Sequence, residues 1–179
     1  EANDYGVEVN WSNLCQYAEE IRRRGKLKVN LLPLTGLSAI RASVSGYSAK
    51  PSGISDMDKM KELVSKTMIE GSSGLSSGLI YPPCCYFQPD EIIELLKIAA
   101  RYGGIYSTHM RSEGNQLLEA VNEAVSAAKK AKIPLQISHL KTAERHNWYK
   151  LDSVFELIEA AQLEGAEISA DRYPYLASQ

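Results

Sequence analysis

The sequence is poor in the residues that mark several specialised classes of protein. Its 179 residues include only three cysteines, Cys15 and the adjacent Cys84 and Cys85, at a spacing that fits neither a zinc ribbon nor a disulfide framework. No segment approaches about 18 consecutive apolar residues, so no membrane-spanning helix is predicted. The 20 Lys and Arg residues are balanced by 22 Asp and Glu residues. Without a basic stripe, no nucleic-acid partner is indicated.

What remains is the composition of an ordinary globular domain. Apolar residues make up 44% and charged residues 23% of the chain, which excludes a disordered or collagen-like protein. The first residues, EANDYGVEVNW, contain neither the basic nor the apolar segment of a secretory signal. With its cysteines reduced, we expect a cytoplasmic protein and a single domain over residues 1–179.

Short apolar segments alternate with amphipathic segments of helical period along the chain. Helices are predicted at residues 12–24, 56–68, 89–100, 113–128 and 151–163. Ser55 is the expected N-cap of the second helix, and Pro89 opens the third. Strands are predicted at residues 28–34, 71–81, 104–110, 134–140 and 166–175.

This order of elements predicts an α/β fold with parallel strands. The strands predicted to start near residues 104 and 134 are about 30 residues apart, which is the length of one strand–helix unit with its crossover. Five such strands fit either an open doubly wound sheet or an arc of a (β/α)8 barrel. No GxGxxG or Walker glycine pattern opens a helix, which weighs against a nucleotide-binding version.

Two of the three histidines occupy matching positions in this pattern. His109 and His139 lie 30 residues apart, each near the end of a predicted strand, and the carboxyl ends of parallel strands form the functional edge of such folds. The two imidazoles could bind one metal ion, although a catalytic zinc site needs about three protein ligands and no third is evident. Nickel, copper and iron would also accept two imidazoles. The alternative is that both rings only hydrogen-bond to nearby loops.

Two cations follow the histidines at the same spacing. Arg111 and Lys141 each come two residues after a histidine and would share its face in an extended strand. Such a pair suits the carboxylate of a substrate, which Arg can bind through two nitrogens. Alternatively, either cation forms an ion pair with Glu113 or Glu144.

Tyrosines complete the candidate site. Tyr173 lies at the end of the last predicted strand, beside Asp171 and Tyr175, and its hydroxyl could orient or polarise a carbonyl group. Tyr81 precedes Pro82-Pro83, so it would stand in a stiff loop wall. The alternative for each tyrosine is a packed ring with a satisfied hydroxyl.

Four segments together carry a resemblance to a known family. In order and spacing, the chain from about Trp11 to its end resembles the N-acyl-D-amino-acid deacylase (D-aminoacylase) family of the amidohydrolase superfamily. The segments that carry this resemblance are GLSSGLIYPP, GGIYSTHMRSEG, PLQISHLK and DRYPYLASQ.

The resemblance implies a zinc-dependent (β/α)8 barrel, of which the chain would cover about strands three to seven. His109 and His139 would bind zinc, whereas Lys141 and Tyr173 would hold the substrate and Tyr81 would lie near its acyl group. The implied reaction is hydrolysis of the amide bond of an N-acyl-D-amino acid, with the metal as Lewis acid and as activator of water.

Several family features have no counterpart in the sequence. The family carries an HxH pair on the first strand, a bridging cysteine on the second and an aspartate general base on the eighth, and none can be placed here. We therefore expect the catalytic base outside this chain, no turnover by the chain alone, and pairing with another copy through exposed barrel edges. The alternatives are a cyclic-amide hydrolase of the dihydroorotase or hydantoinase kind and a non-catalytic scaffold fragment.

Overall fold

Five strands form one parallel sheet in the computed structural model, which describes residues 8–25 and 27–175. The sheet order follows the chain, and all four strand pairs are parallel, so the predicted α/β class is confirmed. The strands are Thr35–Gly36 (β1), Gly74–Gly78 (β2), Ile105–His109 (β3), Leu135–Ile137 (β4) and Ile168–Ala170 (β5). Predictions that concern residues 1–7, 26 and 176–179 lie outside the described residues.

Six α-helices connect or flank these strands. They are Leu14–Arg24 (α1), Leu37–Ser45 (α2), Ile54–Ile69 (α3), Pro89–Arg101 (α4), Leu117–Ala131 (α5) and Leu151–Leu163 (α6). Short 3₁₀ helices occupy Cys84–Tyr86 and Arg145–Lys150. Across the described part of the chain, no helix combines the length and the apolar character needed to cross a membrane.

The core lies between the sheet and the helices. The apolar stripe of each connecting helix faces buried strand side chains, and each such side chain contributes about 1.5–3 kcal/mol when fully buried. The central members of this core are Leu75, Tyr106 and Leu135 on the strands and Leu95, Val121 and Val154 on the helices. This packing holds the strands in place. It therefore also sets the position of the sheet edge at which the carboxyl ends of the strands lie.

The prediction of a strand at residues 28–34 is wrong. This segment is irregular and largely exposed, and β1 begins only after it, at Thr35. Pro33 has no N–H to donate to a neighbouring strand, although its carbonyl oxygen accepts a hydrogen bond from the Ser73 N–H at 2.8 Å. The sequence pattern also does not predict α2, whose inner side carries the buried Leu37 and Ile40.

Helix and strand ends differ from the predictions in smaller ways. The second predicted helix starts at Ile54 with Gly53 as its N-cap, so Ser55 lies inside the helix and does not cap it. The last two strands have three residues each, far fewer than predicted. The polar residues that follow these two strands leave the sheet at its carboxyl edge, where they form part of the candidate site.

The register of the strands places the site residues at one level. Gly78 at the end of β2 is paired with His109 at the end of β3, and Thr108 is paired with Ile137 of β4. The Leu79 N–H donates to the His109 carbonyl oxygen at 3.0 Å. The backbone at His109 is therefore held by ladder hydrogen bonds to β2, and the backbone at the preceding Thr108 by its pairing with β4.

A network of buried hydroxyl groups lies directly beneath this edge. The Ser77 hydroxyl is 2.8 Å from both the Tyr106 hydroxyl and the Thr108 hydroxyl. Burial raises the pKa of Tyr106 to about 12, so its hydroxyl group stays protonated. The three side chains satisfy one another and give β2 and β3 a rigid polar layer below the histidines.

Candidate metal centre

The two histidines converge at the carboxyl edge of the sheet. His109 is the last residue of β3, and His139 lies two residues beyond the end of β4. The Nδ1 atom of His109 is 2.9 Å from the Nε2 atom of His139, and the two rings meet edge to face. Neighbouring strands thus present two imidazoles to the same point.

His109 has one ring nitrogen that no described group satisfies. Its Nε2 atom is buried and finds no hydrogen-bond partner among residues 8–25 and 27–175. Burial lowers the pKa of His109; the carboxylate of Glu113 opposes this, and His139 and Lys141 lower the pKa further. The imidazole is therefore neutral near pH 7, which is the form that binds metals.

We expect the ring of His109 in the metal-free chain to titrate below the pKa of about 6.5 of free histidine. The unfolded chain then binds more protons than the folded chain as the pH falls through about 6.5, so this histidine favours unfolding at acid pH. A pH titration of the ring C–H signals by NMR measures the midpoint. A midpoint above 6.5 would contradict the expected effect of burial.

His139 adopts a backbone conformation that needs support. Its φ is +43°, in the left-handed region that costs about 1–3 kcal/mol for residues other than glycine. The Asp171 carboxylate accepts the His139 N–H at 2.8 Å, and the Asp171 carbonyl accepts the Leu140 N–H at 2.9 Å. Gln136 binds the second carboxylate oxygen at 2.7 Å. Asp171 therefore holds the turn that aims His139 toward His109.

Glu113 is a third member of the cluster, although the sequence pattern indicates it only as an ion-pair partner of Arg111 or Lys141. Its Oε1 atom lies 2.8 Å from His139 Nδ1 and 2.5 Å from Lys141 Nζ. The possible ligand atoms of His109, Glu113 and His139 all lie within 4.8 Å of one another. The available signal was the position of Glu113, four residues after His109 in the loop that leaves the same strand end.

Lys141 and two tyrosines surround the histidines. The Lys141 side chain is only 16% exposed, and its Nζ atom lies 5.3 Å from the centre of the Tyr173 ring. Tyr173 in turn lies 6.3 Å from His139, between ring centres. Tyr81 is 5.2 Å from His109 by the same measure, and it is more than half exposed. One edge of the sheet thus carries, in addition to His109, four other predicted site residues: His139, Lys141, Tyr173 and Tyr81.

Arg111 has contacts of a different kind. Its guanidinium donates to the Glu123 carboxylate at 2.9 Å, to the Cys85 carbonyl at 2.8 Å and to the Phe87 carbonyl at 3.1 Å. All three of its nitrogens are therefore engaged, and Glu123 is its partner in place of Glu113 or Glu144. Direct substrate binding by Arg111 stays a prediction; in the structure it anchors the backbone that follows Tyr81.

Hydrogen bonds from the following part of the chain hold the loop that carries Glu113 in place. The Glu113 carbonyl oxygen accepts the Ala143 N–H at 2.7 Å. The buried Lys150 ammonium donates to the Asn115 carbonyl at 2.7 Å and to the Asn147 side chain at 2.8 Å. Because these bonds satisfy a buried cation, the loop has little freedom to withdraw Glu113 from the cluster.

The donor set fits a divalent metal ion. Imidazole nitrogens are ligands that zinc accepts in catalytic sites, and a neighbouring carboxylate commonly orients such an imidazole. The two nitrogens that face each other, His109 Nδ1 and His139 Nε2, are held in place by the ends of neighbouring strands. The chemistry that this arrangement supports is metal-assisted hydrolysis.

Comparison with known proteins gives relatives over nearly the whole chain, although no protein-family model matches it. The chain is 31% identical over 174 residues to a D-aminoacylase of Alcaligenes xylosoxydans xylosoxydans, which covers 97% of this chain and 36% of that protein. The chain therefore spans about a third of the length of this relative.

Solved structures agree with this similarity. A D-aminoacylase structure concerned with the functional role of its binuclear metal centre matches with a TM-score of 0.85 and 30% identity, over 93% of this chain and 35% of that one. An N-acyl-D-glutamate deacylase from Bordetella bronchiseptica, complexed with zinc and a phosphonate inhibitor, matches with a TM-score of 0.88 over 95% of this chain and 36% of that one. Because its identity is 22%, the second match shows the fold alone.

Proposed function

We propose that this chain, a homologue of part of the D-aminoacylases in the amidohydrolase superfamily, supplies metal ligands and substrate contacts to an enzyme that hydrolyses N-acyl-D-amino acids. The observation that carries the proposal is the 2.9 Å approach of His109 Nδ1 to His139 Nε2 at the carboxyl edge of a parallel sheet. The relative named D-aminoacylase supports the substrate class.

Zinc is the proposed metal. The two imidazoles of His109 and His139, beside the Glu113 carboxylate, suit it, and zinc is also present in the complex of the N-acyl-D-glutamate deacylase. When bound, zinc polarises a carbonyl oxygen and lowers the pKa of water. His109 would hold it through Nδ1 and His139 through Nε2, because these are the nitrogens that face each other.

Lys141 is proposed to bind the carboxylate of the amino acid. An ammonium group has three N–H donors, and the Glu113 carboxylate uses one of them. Tyr173 lies beside the same ammonium and would close that side of the amino-acid pocket. Tyr81, exposed on the other side of His109, would line the space for the acyl group.

The general base is proposed to lie outside this chain. Asp171 is the carboxylate that directly follows β5, but its two oxygens accept hydrogen bonds from the His139 N–H and from Gln136. A group committed in this way is a poor proton acceptor for a water molecule. We further propose that the five strands are about strands three to seven of a (β/α)8 barrel, with β1 and β5 as edges that pair with another copy when they are left open.

The test is an assay of the full-length gene product, loaded with zinc, against three kinds of substrate. We expect release of D-amino acids from N-acyl-D-amino acids, and little turnover of either the L enantiomers or a cyclic ureide. Ring opening of the ureide without deacylation would instead support a hydantoinase-like enzyme. The 179-residue chain alone is expected to be inactive, and zinc-dependent deacylation by it would contradict the proposed location of the base.

A further inference from the structure

We propose that Glu113 is a positioning residue that determines which ring nitrogen of His139 carries the proton and holds the Lys141 ammonium beside it. The inference deepens the proposed function, since it concerns the same site, but it is stated for the chain without metal. Nothing in the sequence pattern assigned this role to Glu113.

The geometry places one carboxylate oxygen between two partners. Glu113 Oε1 lies 2.8 Å from His139 Nδ1 and 2.5 Å from Lys141 Nζ, while Lys141 Nζ lies 2.9 Å from the same His139 Nδ1. The Glu113 and Lys141 side chains are 15% and 16% exposed. Water therefore has limited access to these contacts, which strengthens them.

The contact between Glu113 and His139 requires a proton. A carboxylate oxygen and an unprotonated imidazole nitrogen are both acceptors, and two acceptors 2.8 Å apart repel each other. Nδ1 of His139 therefore donates to Glu113, and the Lys141 ammonium, which can only donate and lies 2.9 Å from Nδ1, has Glu113 Oε1 as its acceptor instead. When the ring carries only this proton, its free electron pair lies on Nε2, which is the atom that faces His109 at 2.9 Å.

Lys141 would reverse this arrangement if Glu113 were absent. Its ammonium can only donate, and it lies 2.9 Å from His139 Nδ1. Without the carboxylate, Nδ1 would accept from Lys141, and the ring proton would move to Nε2. The Nε2 atom would then face His109 with a proton where a ligand needs an electron pair. Carboxylates that orient metal-binding histidines in this way commonly change metal affinity about 10- to 100-fold when removed.

The first experiment is long-range ¹H–¹⁵N NMR of the histidine rings in the purified, metal-free chain at neutral pH. We expect the His139 proton on Nδ1 in the native chain, on Nε2 in Glu113→Ala, and again on Nδ1 in Glu113→Gln, whose side-chain oxygen can still accept. Glu119→Ala, which removes an exposed carboxylate at the start of α5, should behave as the native chain. A native ring protonated on Nε2, or a proton position that Glu113→Ala leaves unchanged, would overturn the inference.

The second experiment measures binding of Co²⁺ by its visible spectrum in the same four proteins. We expect affinity about 10- to 100-fold weaker in Glu113→Ala, partial recovery in Glu113→Gln and native affinity in Glu119→Ala. Equal affinity in Glu113→Ala and the native chain would overturn the inference. If the native chain binds no Co²⁺ but Glu113→Ala still moves the proton to Nε2, the result supports the role of Glu113 and contradicts the metal site in the proposed function.

Discussion

Replacing His109 and His139 together with alanine should abolish stoichiometric zinc binding. The two rings supply the nitrogens that face each other at 2.9 Å, and without them Glu113 is the one remaining member of the candidate ligand cluster. A single carboxylate is far below the about three protein ligands of a catalytic zinc site. We therefore expect affinity to fall more than about 100-fold, beyond the effect of losing a partner that only orients a ligand.

Metal analysis after dialysis and a titration with zinc measure this effect. The matched control is His146→Ala, because His146 is the third histidine, is exposed, and contacts Asn115 and Glu144 away from the pair. It should bind zinc as the native chain does. Zinc binding that survives the double substitution would place the metal elsewhere, and loss of zinc in His146→Ala as well would point to a general effect of histidine content.

Replacing Gly74 with alanine should unfold the sheet. A Cβ atom at this position would lie 2.0 Å from the Ile105 carbonyl oxygen and 2.6 Å from the Ile105 nitrogen, and the φ of Gly74 is +151°. Both contacts are with backbone atoms of the neighbouring strand, which cannot move aside without breaking the β2–β3 ladder. We expect the free energy of unfolding to fall by more than about 3 kcal/mol, in the range of the most damaging substitutions.

Chemical denaturation followed by circular dichroism measures the loss. Gly114→Ala is the control, because a Cβ there meets only the Asn147 amide nitrogen at an ordinary 3.6 Å. Its effect should stay within about 1 kcal/mol. Since Gly74 begins the strand whose last residue is paired with His109, Gly74→Ala should also weaken metal binding. Native stability in Gly74→Ala would show that β2 and β3 are not paired as described.

The helices with a clear apolar period were predictable from the sequence, and those without one were not. Residues 151–163 were predicted as a helix, and the structure has α6 at Leu151–Leu163. The missed α2 is short and rich in serine, so its buried Leu37 and Ile40 did not stand out as a stripe. Residues 28–34 are apolar enough for a strand, but their exposure reflects neighbours that no local pattern reveals.

The candidate site divides in the same way. The sequence by itself predicted that His109 and His139 lie at the carboxyl ends of two consecutive parallel strands, because strands about 30 residues apart with an amphipathic helix between them are typical of that arrangement. It did not determine which acidic residue each cation contacts. Arg111 and Lys141 have the same spacing from a histidine, yet Arg111 binds Glu123 and Lys141 binds Glu113.

Only the tertiary structure decided these partners, and the physical reason is the distance along the chain between the groups that meet. Lys141 and Glu113 are 28 residues apart, and Asp171 and His139 are 32 apart. Each side chain selects its partner by reach and burial after the strands have been brought into register. Spacing identifies the residues at the edge of the sheet, whereas packing decides that Glu113 and Asp171 hold His139 and that Arg111 turns away to the loop after Tyr81.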